Sequence, residues 1–79
     1  MNAMKRLSSR MKDAVDKLAR HQLAYAGKTR GSRWWLPGGI NDWIEDRTMQ
    51  ALIRRNAAEV FDSTKYTLFA RLTKETKAG

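Results

Sequence analysis

The sequence predicts a single small α+β domain spanning residues 1–79. Apolar residues at alternating spacings of three and four near the N-terminus predict a long first helix. A second helical pattern follows a start signal at Asp42. Alternating residues on either side of a turn at residues 62–65 predict a C-terminal β-hairpin. A chain of 79 residues has room for one modest core and no second domain.

The first predicted helix runs from about Met4 to Ala26, and Gly27 provides the usual C-terminal stop. Its apolar stripe has the periodicity of a helix with one buried face. The stripe consists of Met4, Leu7, Met11, Ala14, Leu18, His21 and Tyr25. We expect it to pack on the chain's own core. The alternative is a homodimer seam formed by Met4, Leu7, Met11, Leu18 and Tyr25.

A glycine-rich basic loop from Gly27 to Arg33 leads into a short predicted strand, residues 33–36, which the turn Pro37-Gly38-Gly39 ends. Trp34 and Trp35 are adjacent, so in a strand they face opposite ways. A protein this short needs large residues in its core. We therefore expect at least two of its three tryptophans to be buried.

The second predicted helix starts with a capping-box pattern, Asp42 followed three residues later by Glu45. Its buried face comprises Ile44, Thr48, Ala51 and Leu52, and its opposite face comprises Trp43, Asp46, Arg47, Gln50 and Arg54. Asn56 stands where the helix should end, and asparagine tolerates the left-handed conformation of such a stop.

The predicted hairpin consists of Val60-Phe61, a turn over residues 62–65, and a strand from Tyr66 to Thr73. Alternation places Leu68 and Ala70 on one side of that strand and Phe69 on the other. The polar tail, residues 74–79, is expected to fray.

Charge is the strongest compositional bias. Sixteen Lys and Arg against eight acidic residues give a net charge of +8, which favours a polyanionic partner such as nucleic acid. With no cysteine and one histidine, the chain shows no metal-ligand spacing and no pair of groups at catalytic spacing. We therefore expect no metal, no cofactor and no enzymatic activity. No apolar run approaches the length of a membrane span and no secretory signal is present, so a cytoplasmic protein is expected.

The candidate nucleic-acid contacts follow from the spacing of cations. Arg47, Gln50 and Arg54 stand at i, i+3 and i+7, so one helix points all three in the same direction. Arginine can bond guanine and glutamine can bond adenine in a major groove. The alternative is an ordinary charged surface helix. The expected phosphate contacts are Lys28, Arg30, Arg33, Lys65 and Arg71.

Three short segments carry a family resemblance: Trp35 to Gly39, Arg47 to Arg55, and Arg71 to Thr73. Together they resemble small winged-helix proteins of phage and bacterial genomes, similar to reduced relatives of the MarR-type transcription regulators. The resemblance implies that residues 48–55 form the body of a recognition helix and residues 62–68 form the wing.

The sequence therefore predicts a double-stranded DNA-binding protein, a small phage-type transcriptional regulator. Regulators of this shape commonly dimerise, so a second copy of the chain is an alternative use of the first helix. In this interpretation the second helix enters the major groove and the hairpin acts as a wing. One alternative is a small phage-type inhibitor that binds a host protein through a basic, tryptophan-containing surface; exposure of Trp34, Trp35 and Leu36 would favour it. Another is single-stranded DNA or RNA binding, with bases stacked on tryptophan.

Overall fold

The computed structural model describes residues 7–38, 42–74 and 76. Two helices and five strands follow one another in the order α1 (Ser9–His21), β1 (Ala24–Gly27), β2 (Trp34–Trp35), β3 (Trp43–Ile44), α2 (Asp46–Arg54), β4 (Ala58–Ser63) and β5 (Thr67–Leu72). The strands form one antiparallel sheet in the order β3-β2-β1-β5-β4. The predicted α+β class is confirmed, but the order of helices and strands differs from the predicted one.

Strand β1 is the centre of the sheet, because it pairs with β2 on one edge and with β5 on the other. Its register with β5 runs from Ala24 opposite Ala70 to Gly27 opposite Thr67. The strands formed early in the chain therefore join the C-terminal hairpin in a single sheet. This pairing is long-range in sequence.

Helix α1 is shorter than the sequence predicts. It begins after Ser8, whose hydroxyl accepts a hydrogen bond from the first turn, and it ends at His21. Gln22 follows with a φ of 74°. The prediction that the helix reaches Ala26 is therefore wrong. Ala26 continues the helical stripe, but with Ala24 it also fits the two-residue alternation of a strand, and pairing on both edges satisfies the β1 backbone.

The start of α2 also differs from the prediction. Asp42 does not cap the helix, because its carboxylate lies 2.9 Å from the ammonium group of Lys17 on α1. Trp43 and Ile44 form β3 instead of the first helical turn. Glu45 occupies the N-cap position without a side-chain hydrogen bond. The ion pair and the pairing of β3 with β2 replace a capping bond that is typically worth about 1 kcal/mol.

The described residues between the two helices form three strands and no helix. A winged helix-turn-helix places a supporting helix directly before its recognition helix. The order observed here, with β3 immediately before α2, is therefore different from that arrangement.

Both helices pack on one face of the sheet, which we call the covered face. The strands contribute both small and large side chains to it, namely Ala24, Ala26, Ala58 and Ala70 together with Trp34, Ile44 and Leu72. The helices add large apolar residues such as Leu18 and Leu52, both fully buried. The small strand residues leave room for these helix side chains in the core.

Three of the five residues of the predicted dimer seam are buried in the chain's own core. Leu7, Met11 and Leu18 are buried in the core. Tyr25 lies on β1 and is 39% exposed on the face away from the helices. Met4 lies outside the described residues. The stripe thus serves the chain's own core, which is the use we expected for it.

The end of α2 follows the prediction. Helix α2 buries Thr48, Met49 and Leu52, and Asn56 follows it with a φ of 59°, in the left-handed region.

The predicted hairpin is present, but its predicted turn over residues 62–65 is wrong, because Asp62 and Ser63 are paired within β4 and the turn covers residues 64–66. Strand β4 is therefore longer than predicted, and β5 is one residue shorter at each end. In the tail, Thr76 is buried, and its hydroxyl lies 3.1 Å from that of Thr73. The predicted fraying therefore does not extend to Thr76.

Candidate functional site

Four of the five predicted phosphate-binding cations lie at one end of the sheet. Lys28, Arg30 and Arg33 are exposed in the connection between β1 and β2, and Lys65 is exposed in the turn between β4 and β5. The two connections are adjacent, because the Lys28 amide donates a hydrogen bond to the Tyr66 carbonyl at 3.2 Å. Neither connection, residues 28–33 or residues 64–66, contains a carboxylate, and the nearest one in sequence is Asp62 in β4. We call these four side chains the cationic end.

Short local hydrogen bonds shape both connections. In the hairpin turn, the Thr64 amide donates to the Thr67 carbonyl at 2.8 Å, and the Thr64 hydroxyl accepts from the Thr67 amide at 3.1 Å. In the loop, the Ser32 amide donates to the Thr29 carbonyl at 3.1 Å, and Gly31 has a φ of 79°. Glycine adopts that conformation without a steric penalty. The cations thus project from turns whose backbone is already bonded.

Arg71 lies apart from the other four. It is near the end of β5 opposite the hairpin turn, and its Nε donates to the Glu59 carboxylate at 3.3 Å. Its guanidinium also lies 4.7 Å from the ring centre of Phe61. Part of its charge is therefore balanced within the chain, and the structure does not bring it to the cationic end.

The predicted base-reading residues are exposed on α2, in agreement with the helical phase expected from the sequence. Arg47, Gln50 and Arg54 all point away from the buried side of the helix. The Gln50 amide donates to the Asp46 carboxylate at 3.2 Å, and the same oxygen accepts the Trp34 indole N–H at 3.0 Å. Helix α2 packs on the covered face, and its exposed side chains point away from the sheet. Arg47, Gln50 and Arg54 are therefore separated from the second face of the sheet by the sheet itself.

That other face, which we call the open face, carries an aromatic side chain from each of the five strands. Trp43 is paired with Trp35, Trp35 with Tyr25, and Tyr25 with Phe69. Phe61 stands at a β-bulge beside Phe69 and completes the series. We call these five residues the aromatic row. Both described helices lie on the opposite side of the sheet.

The rings of the aromatic row are in contact at its two ends. The Trp35 and Trp43 ring centres are 5.6 Å apart, and those of Phe61 and Phe69 are 6.5 Å apart, both pairs tilted. These distances lie in the range of favourable aromatic pairs. Tyr25, between them, is 39% exposed. Each strand presents its ring to the same face, which cross-strand register requires.

Arg33 connects the aromatic row to the cationic end. It precedes β2, two residues before Trp35, and its guanidinium lies 4.7 Å from the Trp43 ring centre. A guanidinium that lies over an indole ring is attracted to the ring face, and its N–H groups remain able to donate hydrogen bonds to another partner. Arg33 therefore places one cation of the cationic end against the half-buried Trp43 of the aromatic row.

Sequence reasoning missed the aromatic row because it assigned two of the five residues to helices. It placed Tyr25 on the first helical stripe and Trp43 on the exposed face of the second helix. A usable signal was present in Ala24-Tyr25-Ala26, where one large ring alternates with two small side chains. The expectation that at least two tryptophans are buried is also wrong: Trp34 is 1% exposed, while Trp35 and Trp43 are half-buried on the open face.

Lys17 on α1 holds the edge of the sheet that carries Trp43. Its ammonium lies 2.9 Å from the Asp42 carboxylate and 3.4 Å from that of Asp13, and it donates to the Trp43 carbonyl at 3.4 Å. The hydrogen bond with Asp42 raises the pKa of Lys17 and lowers the pKa of Asp42 below its usual 3.8. Both groups are therefore charged at neutral pH, and β3 is anchored to α1.

His21 anchors the neighbouring loop. Its Nδ1 donates a hydrogen bond to the Pro37 carbonyl at 3.1 Å, which assigns that tautomer. The ring is half-buried at the end of α1. The bond connects the end of α1 to the loop that follows β2.

Comparison of the chain with protein-family models, with curated proteins and with solved structures finds no match. Neither of the helices in the described ranges is long and apolar enough to span a membrane. The site must therefore be interpreted from its own geometry.

Proposed function

We propose that this chain binds nucleic acid and that the cationic end holds its phosphates. The observation that carries the proposal is the meeting of Lys28, Arg30, Arg33 and Lys65 at one end of the sheet without a carboxylate in either connection. Phosphate contacts by exposed lysine and arginine supply most non-specific affinity for nucleic acid. A net charge of +8 adds long-range attraction for the same partner. A nucleic-acid ligand also suits the cytoplasmic location expected from the sequence.

Salt dependence is the direct signature of this contact. If all four cations of the cationic end neutralise phosphates, the logarithm of affinity should fall against the logarithm of salt with a slope of about −3 for a single strand and about −4 for a duplex. Fluorescence anisotropy of labelled oligonucleotides over a salt series measures that slope.

A triple variant, Lys28→Ala, Arg30→Ala and Lys65→Ala, tests the location of the contact. We expect it to reduce the slope by about 2 to 3 units, because three counterion-releasing contacts are removed. The matched control, Lys12→Ala, Arg20→Ala and Lys74→Ala, removes the same charge from other exposed positions. Equal losses in the two variants would show that only net charge matters, and the cationic end would lose its assignment.

The second candidate is the double-stranded DNA binding that the sequence predicts. Its supporting observation is the exposure of Arg47, Gln50 and Arg54 on one face of α2. As a recognition helix in a small winged-helix regulator, α2 would enter the major groove with the β4–β5 hairpin as its wing. Gln50 would first have to release Asp46 before it could bond adenine.

The double variant Arg47→Ala and Arg54→Ala separates this candidate from the first. The duplex mechanism requires a loss of roughly tenfold or more per guanine contact and relaxed sequence preference. Unchanged duplex affinity in this variant, with the salt slope retained, would remove α2 from the interface.

The remaining candidate, an inhibitor of a host protein, depends on the strand that contains the tryptophan pair. Trp34 and Leu36 are only 1% and 2% exposed, so they cannot anchor a partner. Trp35 alone of the three faces the open side. A protein partner would thus have to use the aromatic row, where the adjacent cations favour a partner with acidic groups.

A further inference from the structure

The open face has a chemistry that the proposed phosphate contacts do not use. We propose that the aromatic row is a stacking platform for the unpaired bases of single-stranded nucleic acid. This inference rests on the proposed function, because the cationic end would hold the backbone of the same strand. It goes further by naming the class of nucleic acid and the residues that meet its bases.

The geometry of the row suits a chain of stacked bases. Neighbouring strands in a sheet are about 4.8 Å apart, so five strands spread the rings over about 19 Å. Direct cross-strand register aligns Trp43, Trp35, Tyr25 and Phe69 across the sheet, perpendicular to the strands. Base–aromatic stacking tolerates any base, because every base has a π-face. The row therefore offers several successive stacking positions to one extended strand.

The placement of large and small side chains indicates that the rings serve more than the core. Large aromatic residues contribute most to stability when they are fully buried. On the covered face β1 carries only Ala24 and Ala26, and β5 carries Ala70 between two leucines, whereas the open face carries Tyr25 and Phe69 from the same strands. Tyr25 keeps 39% of its surface in solvent. A contiguous apolar surface that remains in contact with solvent is typical of a binding site.

Charge at the Trp43 end of the row favours a polyanion over an apolar partner. Arg33 lies against Trp43 there, and the exposed lysines and arginine of the cationic end continue from it. At the other end Arg71 pairs with Glu59, and Asp62 is paired with a residue of the row, so that end carries no excess of positive charge. Rings beside a cationic surface bind bases and phosphates at the same time, which is how sequence-tolerant single-strand grooves work.

A duplex cannot use this surface in the same way. In a double helix the faces of the bases are covered by neighbouring base pairs, and only edges reach the grooves. Unpaired bases can leave the stack and lie on protein rings. Bases and phosphates are common to DNA and RNA, so single strands of both are expected to bind.

Tryptophan fluorescence provides an internal control, since the three indoles occupy different sites. Trp35 and Trp43 are on the row, and Trp34 is buried beneath the helices. We expect a thymidine oligonucleotide of about a dozen nucleotides, within the usual single-strand site size, to quench the wild-type protein. The variant Trp35→Phe with Trp43→Phe keeps two rings for stacking and leaves Trp34 as the sole reporter. It should still bind by anisotropy and should not be quenched.

Affinity provides the second test. The double variant Tyr25→Leu and Phe61→Leu keeps apolar bulk but removes two rings that are 39% and 38% exposed. We expect single-strand affinity to fall at least about fivefold, because each stacked base contributes measurably. The control Tyr66→Leu removes a ring that is 72% exposed, lies outside the row and contacts only Lys65 of the cationic end, and it should cause a smaller loss. Circular dichroism verifies the fold, and the single variants replace the double variant if it unfolds.

The outcomes separate the two proposals. Binding to duplex and single strand with equal affinity and without quenching would overturn the platform and leave the proposed function intact. Quenching that persists in the Trp35→Phe, Trp43→Phe variant, or equal losses in the leucine variants, would also overturn the platform. Absence of binding to any nucleic acid at low salt would overturn both. Comparison of deoxyuridine with uridine oligonucleotides, which differ only in the 2′-hydroxyl, then shows whether the sugar matters.

Discussion

The two faces of the sheet differ in what covers them and in how much of their aromatic surface stays in solvent. The covered face presents four alanines together with Trp34, Ile44 and Leu72 to two helices, and these side chains are almost completely removed from water. The open face presents one aromatic ring from each strand, and the described helices leave it in contact with solvent. Of the six rings in the strands, Trp34 lies under the helices and the other five lie on the face that the described helices do not cover. The covered face therefore supports the fold, and the open face is available for the binding that we propose.

The largest expected difference between the two faces is the loss of folding stability when a large side chain is replaced by alanine. Leu52 is 0% exposed on the covered side, so Leu52→Ala should destabilise the protein by about 2–5 kcal/mol. Phe61→Ala on the open face, at a ring that is 38% exposed, should cost about 1 kcal/mol. Urea unfolding of both variants measures the difference. Similar losses at the two positions would contradict the division of roles between the faces.

Adjacent tryptophans on β2 make the same comparison within one strand. Trp34→Phe removes the hydrogen bond from the indole N–H to Asp46 and leaves a void beneath α2, which should cost about 1–3 kcal/mol. Trp35→Phe on the open face should cost about 1 kcal/mol or less. Thermal unfolding followed by circular dichroism gives both values. A greater loss at Trp35 would mean that the open face is structural.

Asn56 has a left-handed backbone conformation in the connection between α2 and β4. Asn56 has a φ of 59°, where a residue with a Cβ is strained by about 1–2 kcal/mol and asparagine less so. Asn56→Gly should therefore leave stability unchanged or raise it slightly, and Asn56→Ala should lower it by about 1 kcal/mol. Chemical denaturation provides the comparison. A stabilising alanine would show that the turn does not constrain α2.

The smallest expected effect concerns the anchor of β3, which carries Trp43 to the open face. Asp42 has its pKa lowered by the Lys17 ammonium, so its contribution to stability is present above its usual pKa of 3.8 and is lost as the pH falls below it. The variant Asp42→Asn should be less stable than wild type at neutral pH, and the difference between their free energies of unfolding should decrease in acid. Unfolding at several pH values tests this. A gap that does not vary with pH would exclude the ion pair as its cause.

The helical cores of this fold were predictable because their signal is local. In α2, the periodic spacing that buries Thr48 and Leu52 also exposes Arg47 and Arg54, and both outcomes agree with the structure. Asn56 at the helix end followed from its tolerance of the left-handed region. Each of these features depends on residues within about one turn of each other.

Strands β1 and β3 were not predictable in the same way, because distant partners create them. Tyr25 lies on the open face because β1 pairs with β5, where its partner Phe69 is far away in sequence. Over the four residues of β1 alone, the spacing of apolar residues fits a helix as well as a strand. Trp43 is in a two-residue strand that pairs with Trp35. The cations of the cationic end were all identified from the sequence, but their assembly at one end required both strands.

The most direct test of the account follows the three indole N–H signals in a proton–nitrogen NMR correlation spectrum during titration with a single-stranded thymidine oligonucleotide. The account predicts that the signals of Trp35 and Trp43 shift as the oligonucleotide binds while that of buried Trp34 changes least. Shifts confined to the α2 amides around Arg47 and Arg54, with the open-face indoles unchanged, would contradict it and would support duplex-type docking of the helix.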